Sequence, residues 1–130
     1  MSSRVVIACV LVALAALAGC ASQGERTLVV EATAYNSLPG QTQGDPNLAA
    51  WGDRLRPGMK AIAVSRDLLD LGLVRGTRVR IEGLRGEFTV LDKMHRRWRR
   101  KIDIYMGEDR DAALAWGIRR VRIRWTPPSA

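Results

Sequence analysis

Thr77-Arg78-Val79-Arg80-Ile81-Glu82, followed by Gly83-Leu84-Arg85-Gly86 and then Glu87-Phe88-Thr89-Val90-Leu91, decides the fold. Val79 and Ile81 alternate with Arg78 and Arg80, the period of a strand with one face buried and an arginine face outward. The two glycines of Gly83–Gly86 mark a tight turn, and Glu87–Leu91 reads as the return strand of a hairpin that Asp92 ends.

Outward from this hairpin the same pattern recurs. Leu28–Tyr35 is rich in Val, Thr and Tyr, Ala61–Ser65 is a short apolar run, and Ile102–Met106 reads as a further strand. Val121, Ile123 and Trp125 alternate with Arg122 and Arg124. Arg66–Gly72 has room for one or two helical turns. Glu108–Trp116 reads as a helix, opened by acidic residues, carried by Ala112, Ala113 and Ala115, and stopped at Gly117. Asn36–Asn47 holds Pro39, Gly40, Gly44 and Pro46 and reads as a long binding loop. Six short strands, one helix and many turns point to a mainly β fold, a small barrel spanning 28–125 with a tail at 126–130.

The N-terminus is of a different kind. Arg4 precedes an uncharged apolar run, Val5–Ala16, shorter than the roughly 20 residues a spanning helix needs. Leu17-Ala18-Gly19-Cys20 follows, an apolar residue, two small ones and a cysteine, in the order a lipoprotein signal peptidase accepts. The reading is a signal peptide at 1–19, lipidation (palmitate among the acyl chains) at Cys20, and a tether at 20–27. Ala21 after the cysteine resembles lipoproteins sent to the outer membrane, so the domain is expected to face the periplasm from a lipid anchor.

Cys9 leaves with the signal and Cys20 is consumed by lipid, so no thiol remains for a disulfide. With His95 the only histidine, a zinc site is excluded, and neither metal nor cofactor is expected. The net charge of +8 comes mostly from one stretch, Lys93, Arg96, Arg97, Arg99, Arg100 and Lys101. Arginines flanking Trp98 invite a nucleic-acid reading, which export excludes. Peptide carboxylates of the cell wall or anionic lipid headgroups suit the stretch better, and a solvated loop is the plain alternative.

An ordered set of residues carries a resemblance. Thr33-Ala34-Tyr35 ends the first strand, and Trp51-Gly52, Leu55, Pro57-Gly58 and Ala61–Val64 follow. Leu71-Gly72, Gly76-Thr77 and Val79-Arg80-Ile81 come next, then Asp92, and Asp103 within Ile102–Tyr105. Over Val30–Trp125 the order resembles the three-aspartate (3D) domain, the double-psi β-barrel of membrane-bound lytic transglycosylase A, and is similar to rare lipoprotein A and the expansin-like barrels.

The resemblance implies cleavage of peptidoglycan glycan strands without water: one Asp protonates the glycosidic oxygen, then takes the proton of the sugar's C6 hydroxyl as a 1,6-anhydro ring closes. Ordinary glycosidases use two carboxylates. Asp103 matches the general acid, and Asp92 the neighbour that tunes or orients it. Tyr35 and Thr33 match residues beside the cleft. His95 and Trp98 are added as candidate sugar contacts, the second by ring stacking. Ser65 stands where the family has its first aspartate, with Asp67 two places on. Lys93-Met94-His95-Arg96 replaces the usual Thr-Gly-Gly after Asp92.

Two readings follow: a lytic transglycosylase-like enzyme, or a non-catalytic peptidoglycan-binding lipoprotein, in either case a monomer. Carboxylates of Asp92 and Asp103 lining an open groove would favour the enzyme. Arg100 or Lys101 clamping Asp103 would favour the binder. A partner-docking scaffold, a third reading, would lack the groove.

Overall fold

The computed structural model describes residues 24–38 and 44–129. The stretch expected to be a signal peptide, Cys20, Pro39 and Gly40 lie outside the described residues. Six strands form the barrel: β1 (Arg26–Tyr35), β2 (Ala61–Val64), β3 (Arg78–Ile81), β4 (Phe88–Lys93), β5 (Lys101–Tyr105) and β6 (Arg119–Trp125). A 3₁₀ helix (Arg66–Leu71) follows β2, and one α-helix, α1 (Arg110–Trp116), precedes β6.

The barrel closes in the order β1-β5-β2-β4-β3-β6, leaving no open edge. β1·β5 and β2·β4 are parallel and the other four pairings antiparallel, so the sheet is mixed.

The alternations anticipated from sequence hold. Val79 and Ile81 of β3 and Val121, Ile123 and Trp125 of β6 enter the core, while Arg78, Arg80, Arg122 and Arg124 face solvent. Ile62, Val64, Val90, Ile102 and Ile104 complete the interior. Each buried Ile or Val contributes about 1.5–3 kcal/mol over leaving it in water. Strand β2 is buried on both faces, because Ala49 and Leu55 from the connector before it pack with Ala61 and Tyr105 on the outer side.

Most boundaries differ by one or two residues, β6 beginning at Arg119 rather than Val121, and three differences bear on the argument. Strand β1 begins at Arg26, two residues early, because antiparallel pairing with β6 continues to Arg26↔Trp125; Arg26 and Thr27 are strand rather than tether. Asp92 does not end its strand: it lies inside β4, whose parallel pairing with β2 runs on to Val64↔Lys93. Helix α1 starts at Arg110 rather than Glu108, capped by the Asp109 carboxylate, which accepts from Ala112 N at 2.9 Å.

One glycine is dictated by its place. Gly72 closes the 3₁₀ helix at φ 87°, and a Cβ there would lie 2.6 Å from Pro127 Cβ. Lys101 is buried, held by Glu31 at 3.4 Å and lying 3.8 Å from the Trp98 ring centroid.

Candidate functional site

The site is a row across four strands. Thr33 of β1 pairs with Asp103 of β5, Asp103 with Ala63 of β2, and Ala63 with Asp92 of β4. Asp103 therefore lies one strand from Ala63 and Asp92 one strand beyond, about 10 Å across at the backbone. The methyl of Ala63 is the only side chain between them in the row.

A bulge puts Asp92 in the row. Ile62 pairs with Val90, but Ala63 pairs with Asp92, so Leu91 is the extra residue. Leu91 packs on the outer side, and without the bulge strict alternation would carry the next residue, Asp92, into the core.

Above the row is a groove of about 740 Å³. Asp92, Asp103, Ala63, Tyr35 and Asn36 line its floor and near end, Asp45, Pro46, Leu48 and Leu55 one wall, Lys93, Met94, His95 and Trp98 another, and Arg110, Ala113 and Leu114 of α1 a third.

Burial is the main cause that raises the Asp103 carboxyl above the ordinary carboxylate range. The Thr33 hydroxyl, donating to Asp103 Oδ1 at 3.0 Å, and the Lys101 charge act against it, and Asp92 pushes the same way as burial. Among the described residues no cation clamps Asp103 within ion-pair distance. Lys101 is taken by Glu31 and Trp98, Arg100 Nε donates to Val29 O at 2.9 Å, and Arg100 N donates to Asp67 Oδ2 at 2.9 Å. Asp92 Oδ1 accepts from Ala50 N at 2.8 Å and Lys93 N at 2.9 Å, tying the Ala49–Trp51 turn to the groove's edge.

The Tyr35 hydroxyl is buried with no hydrogen-bond partner among the described residues. Burial, then Asp92, Asp103 and Tyr105, push its ionisation far up, so it stays a neutral donor at any working pH. Its ring leans on Tyr105, centroids 5.5 Å apart, and the Tyr105 hydroxyl shares a 2.8 Å hydrogen bond with Ser37 Oγ.

The sequence-derived candidates thus divide. Asp103, Asp92, Tyr35, His95 and Trp98 all line the groove. Thr33 does not line it: the residue acts from behind, through its bond to Asp103. His95 Nδ1 accepts from Arg97 N at 3.2 Å and shapes the basic loop. Trp51 is half-buried against the core, while Trp116 and Trp125 are within it. Ser65 is fully buried, its Oγ accepting from Lys101 N at 3.0 Å, and Asp67 holds Arg100; neither lines the groove.

Sequence reasoning missed Asn36 and Arg110. Buried Asn36 donates to Gly107 O at 3.1 Å and Asp109 O at 3.0 Å, fixing α1 as a wall. No periodic signal marks an Asn just past a strand end, and Arg110 lay in a stretch read only for helix propensity. Among the described residues no cluster of His, Cys, Asp and Glu could hold a metal ion.

The protein is therefore a closed six-stranded mixed β-barrel with an acidic-floored groove on its outer wall. No protein-family model matches the chain, and no curated protein matches it. Among solved structures it is similar to the apo expansin of Clavibacter michiganensis, at 19% identity and a TM-score of 0.52, covering 81% of this chain and 52% of that one. A point mutant of that expansin, in complex with cellohexaose, aligns at 20% identity and a TM-score of 0.49 with the same coverage. The chain spans about half the length of these expansins, and the likeness to the apo structure fits a double-psi barrel.

Proposed function

We propose that this protein is a cell-envelope lipoprotein of the 3D-domain kind that engages peptidoglycan glycan strands, with Asp103 as the single acid/base of a lytic transglycosylase-like cleavage. The observation that carries the reading is the Thr33–Asp103–Ala63–Asp92 row beneath an open groove. A general acid must reach neutral pH still holding a proton, and burial of Asp103 without a cationic clamp favours that state. The protonated carboxyl gives its proton to the glycosidic oxygen as the C1–O bond breaks. The resulting carboxylate then takes the C6 hydroxyl proton while the C6 oxygen closes on C1. Asp92, farther along the floor, keeps the proton on Asp103 by repulsion and stabilises positive charge at C1. The Tyr35 hydroxyl, without an acceptor among the described residues, becomes a donor for a sugar oxygen when the side chains over it shift on binding.

A groove of this size, with exposed Leu48 and Leu114 and the Trp98 ring in its lining, suits a chain of sugar rings. The ligand class rests on the groove rather than on the likeness to the expansins. The apolar run before Cys20 supports export and lipid anchoring, probed by metabolic labelling with a fatty acid in the parent and in Cys20→Ala.

One observation favours the second reading, a binder without chemistry. Met94, His95 and Trp98 occupy the wall where the family's glycine pair would leave room. Digestion of purified peptidoglycan by the domain and by Asp103→Asn separates the two. Anhydro-sugar products from the parent alone establish the enzyme. Retention on the insoluble sacculus with no products from either leaves the binder.

A further inference from the structure

The wall of the barrel opposite the groove carries a second charged feature. In the closed order β1-β5-β2-β4-β3-β6, strand β6 stands across the barrel from β2, and β3 across from β5. The strands bearing Ala63 and Asp103 thus face away from those bearing Arg80, Arg122 and Arg124. These three arginines, with Ile81, Glu82, Gly83 and Leu84, line a shallow concavity of about 270 Å³.

The arrangement is costly as it stands. Arg80 and Arg124 are direct cross-strand partners on the outer face, and like charges so placed repel. Arg122 is two residues along the same face. The acids nearby compensate little. Glu82 accepts weakly from Arg122 N at 3.3 Å. Glu87 reaches Arg80 only at 4.0 Å, shared with Arg78 at 3.6 Å, all largely in water. On the other side of β6, the β1 partners of Arg124 and Arg122 are uncharged, Thr27 and Val29. Three guanidinium groups around one concavity make a fork-like receptor for a phosphate.

The chain's course selects the source of that phosphate. β1 begins at Arg26, beside the Arg124 end of β6, and Cys20, the residue expected to carry the lipid, lies six positions upstream in sequence. From Thr27 to Thr33, β1 then runs about 20 Å toward the groove. We propose that the Arg80–Arg122–Arg124 face docks on the phosphodiester headgroups of an anionic bilayer, holding the groove on the side away from the membrane. The inference stands whether or not the groove is catalytic.

Full-length protein is mixed with vesicles of neutral phosphatidylcholine, and with vesicles in which a quarter of the lipid is phosphatidylglycerol. Arginine modification by phenylglyoxal is then read peptide by peptide by mass spectrometry. The expected result is about tenfold slower modification of Arg80, Arg122 and Arg124 with the anionic vesicles only, since each surface cation adds to bilayer attraction. Arg110, on the groove wall, keeps its rate. Protection of Arg110 to the same degree, equal rates in both vesicles, or equal protection by dissolved glycerol phosphate at matched phosphate concentration would each overturn the proposal. The combined variant Arg80→Gln, Arg122→Gln and Arg124→Gln, checked for its circular-dichroism spectrum, loses the preference for anionic vesicles in flotation. The modification experiment needs no variant, so a folding failure there leaves the result intact.

Discussion

Thr33→Val removes one hydroxyl and keeps the β-branched shape, so it deletes the bond from Thr33 Oγ1 to Asp103 Oδ1, 3.0 Å long, together with the longer 3.4 Å contact to Ile102 O, which bears no titrating group. A hydrogen bond to an ionised group is worth about 1.5–3 kcal/mol and one between neutral groups about 0.5–1.5. The ionised form of Asp103 thus gains about 1 kcal/mol more from Thr33 than the protonated form does. Losing that difference raises the proton affinity of Asp103 about fivefold. A carboxyl-carbon NMR titration, with the Asp103 signal assigned by its loss in Asp103→Asn, reads the change directly. The midpoint moves to higher pH in Thr33→Val. An unmoved midpoint, or one shifted to lower pH, would refute the claim that Thr33 works through Asp103.

Stability follows with a definite sign. The folded state holds the Asp103 proton more tightly than the unfolded chain, whose carboxyl titrates near 3.8. The group's contribution is complete below that pH and is lost as pH rises through the folded midpoint. In Thr33→Val the loss is larger, so the gap in unfolding free energy between parent and variant widens by about 1 kcal/mol from acid to a pH above both folded midpoints. Urea unfolding at both ends of the range measures it.

Other expectations concern separate parts of the molecule. Ser65→Ala strips the acceptor from the buried Lys101 N–H and costs about 1–3 kcal/mol in urea unfolding; an unchanged midpoint would mean water replaces the hydroxyl. Gly72→Ala forces a side chain to φ 87° and against Pro127, so it costs at least about 1–2 kcal/mol and lowers the melting temperature by several degrees. Trp98→Ala removes the ring over Lys101 and a groove wall: sacculus retention drops, whereas a drop in thermal stability with full retention would make Trp98 a packing residue only. Asp103→Asn removes a buried ionisable group, so it melts higher than the parent at pH above the Asp103 midpoint and the advantage closes in acid; a lower melting temperature above that midpoint would contradict the burial argument.

Strand identity was legible because period-two alternation is local. Val79, Ile81, Val121, Ile123 and Trp125 announce their inward face whatever lies beside them. The helix was legible in its alanines and its stop at Gly117, with only its start misjudged, because Glu108 and Asp109 both favour an N-terminus and the side-chain bond of Asp109 decides between them. The extra length of β1 and the strand character of Asp92 were not legible, since both depend on partners distant in sequence.

The same division runs through the site. By itself the sequence determined the set of short strands, the outward arginines, and Asp92 and Asp103 as the acids worth watching. It did not determine that they share a groove. That depends on β5 lying between β1 and β2, on Ala63 being the small residue between the two acids, and on the Leu91 bulge that turns Asp92 outward. Alternation fixes which way a side chain points relative to its own strand, but which strands adjoin, and in what register, is set by the closure of the whole barrel around one core. The fate of the basic stretch was decided in the same way. Lys101 is drawn inward by Glu31 and Trp98 and Arg100 is bound to Val29 and Asp67, so neither makes an ion pair with Asp103.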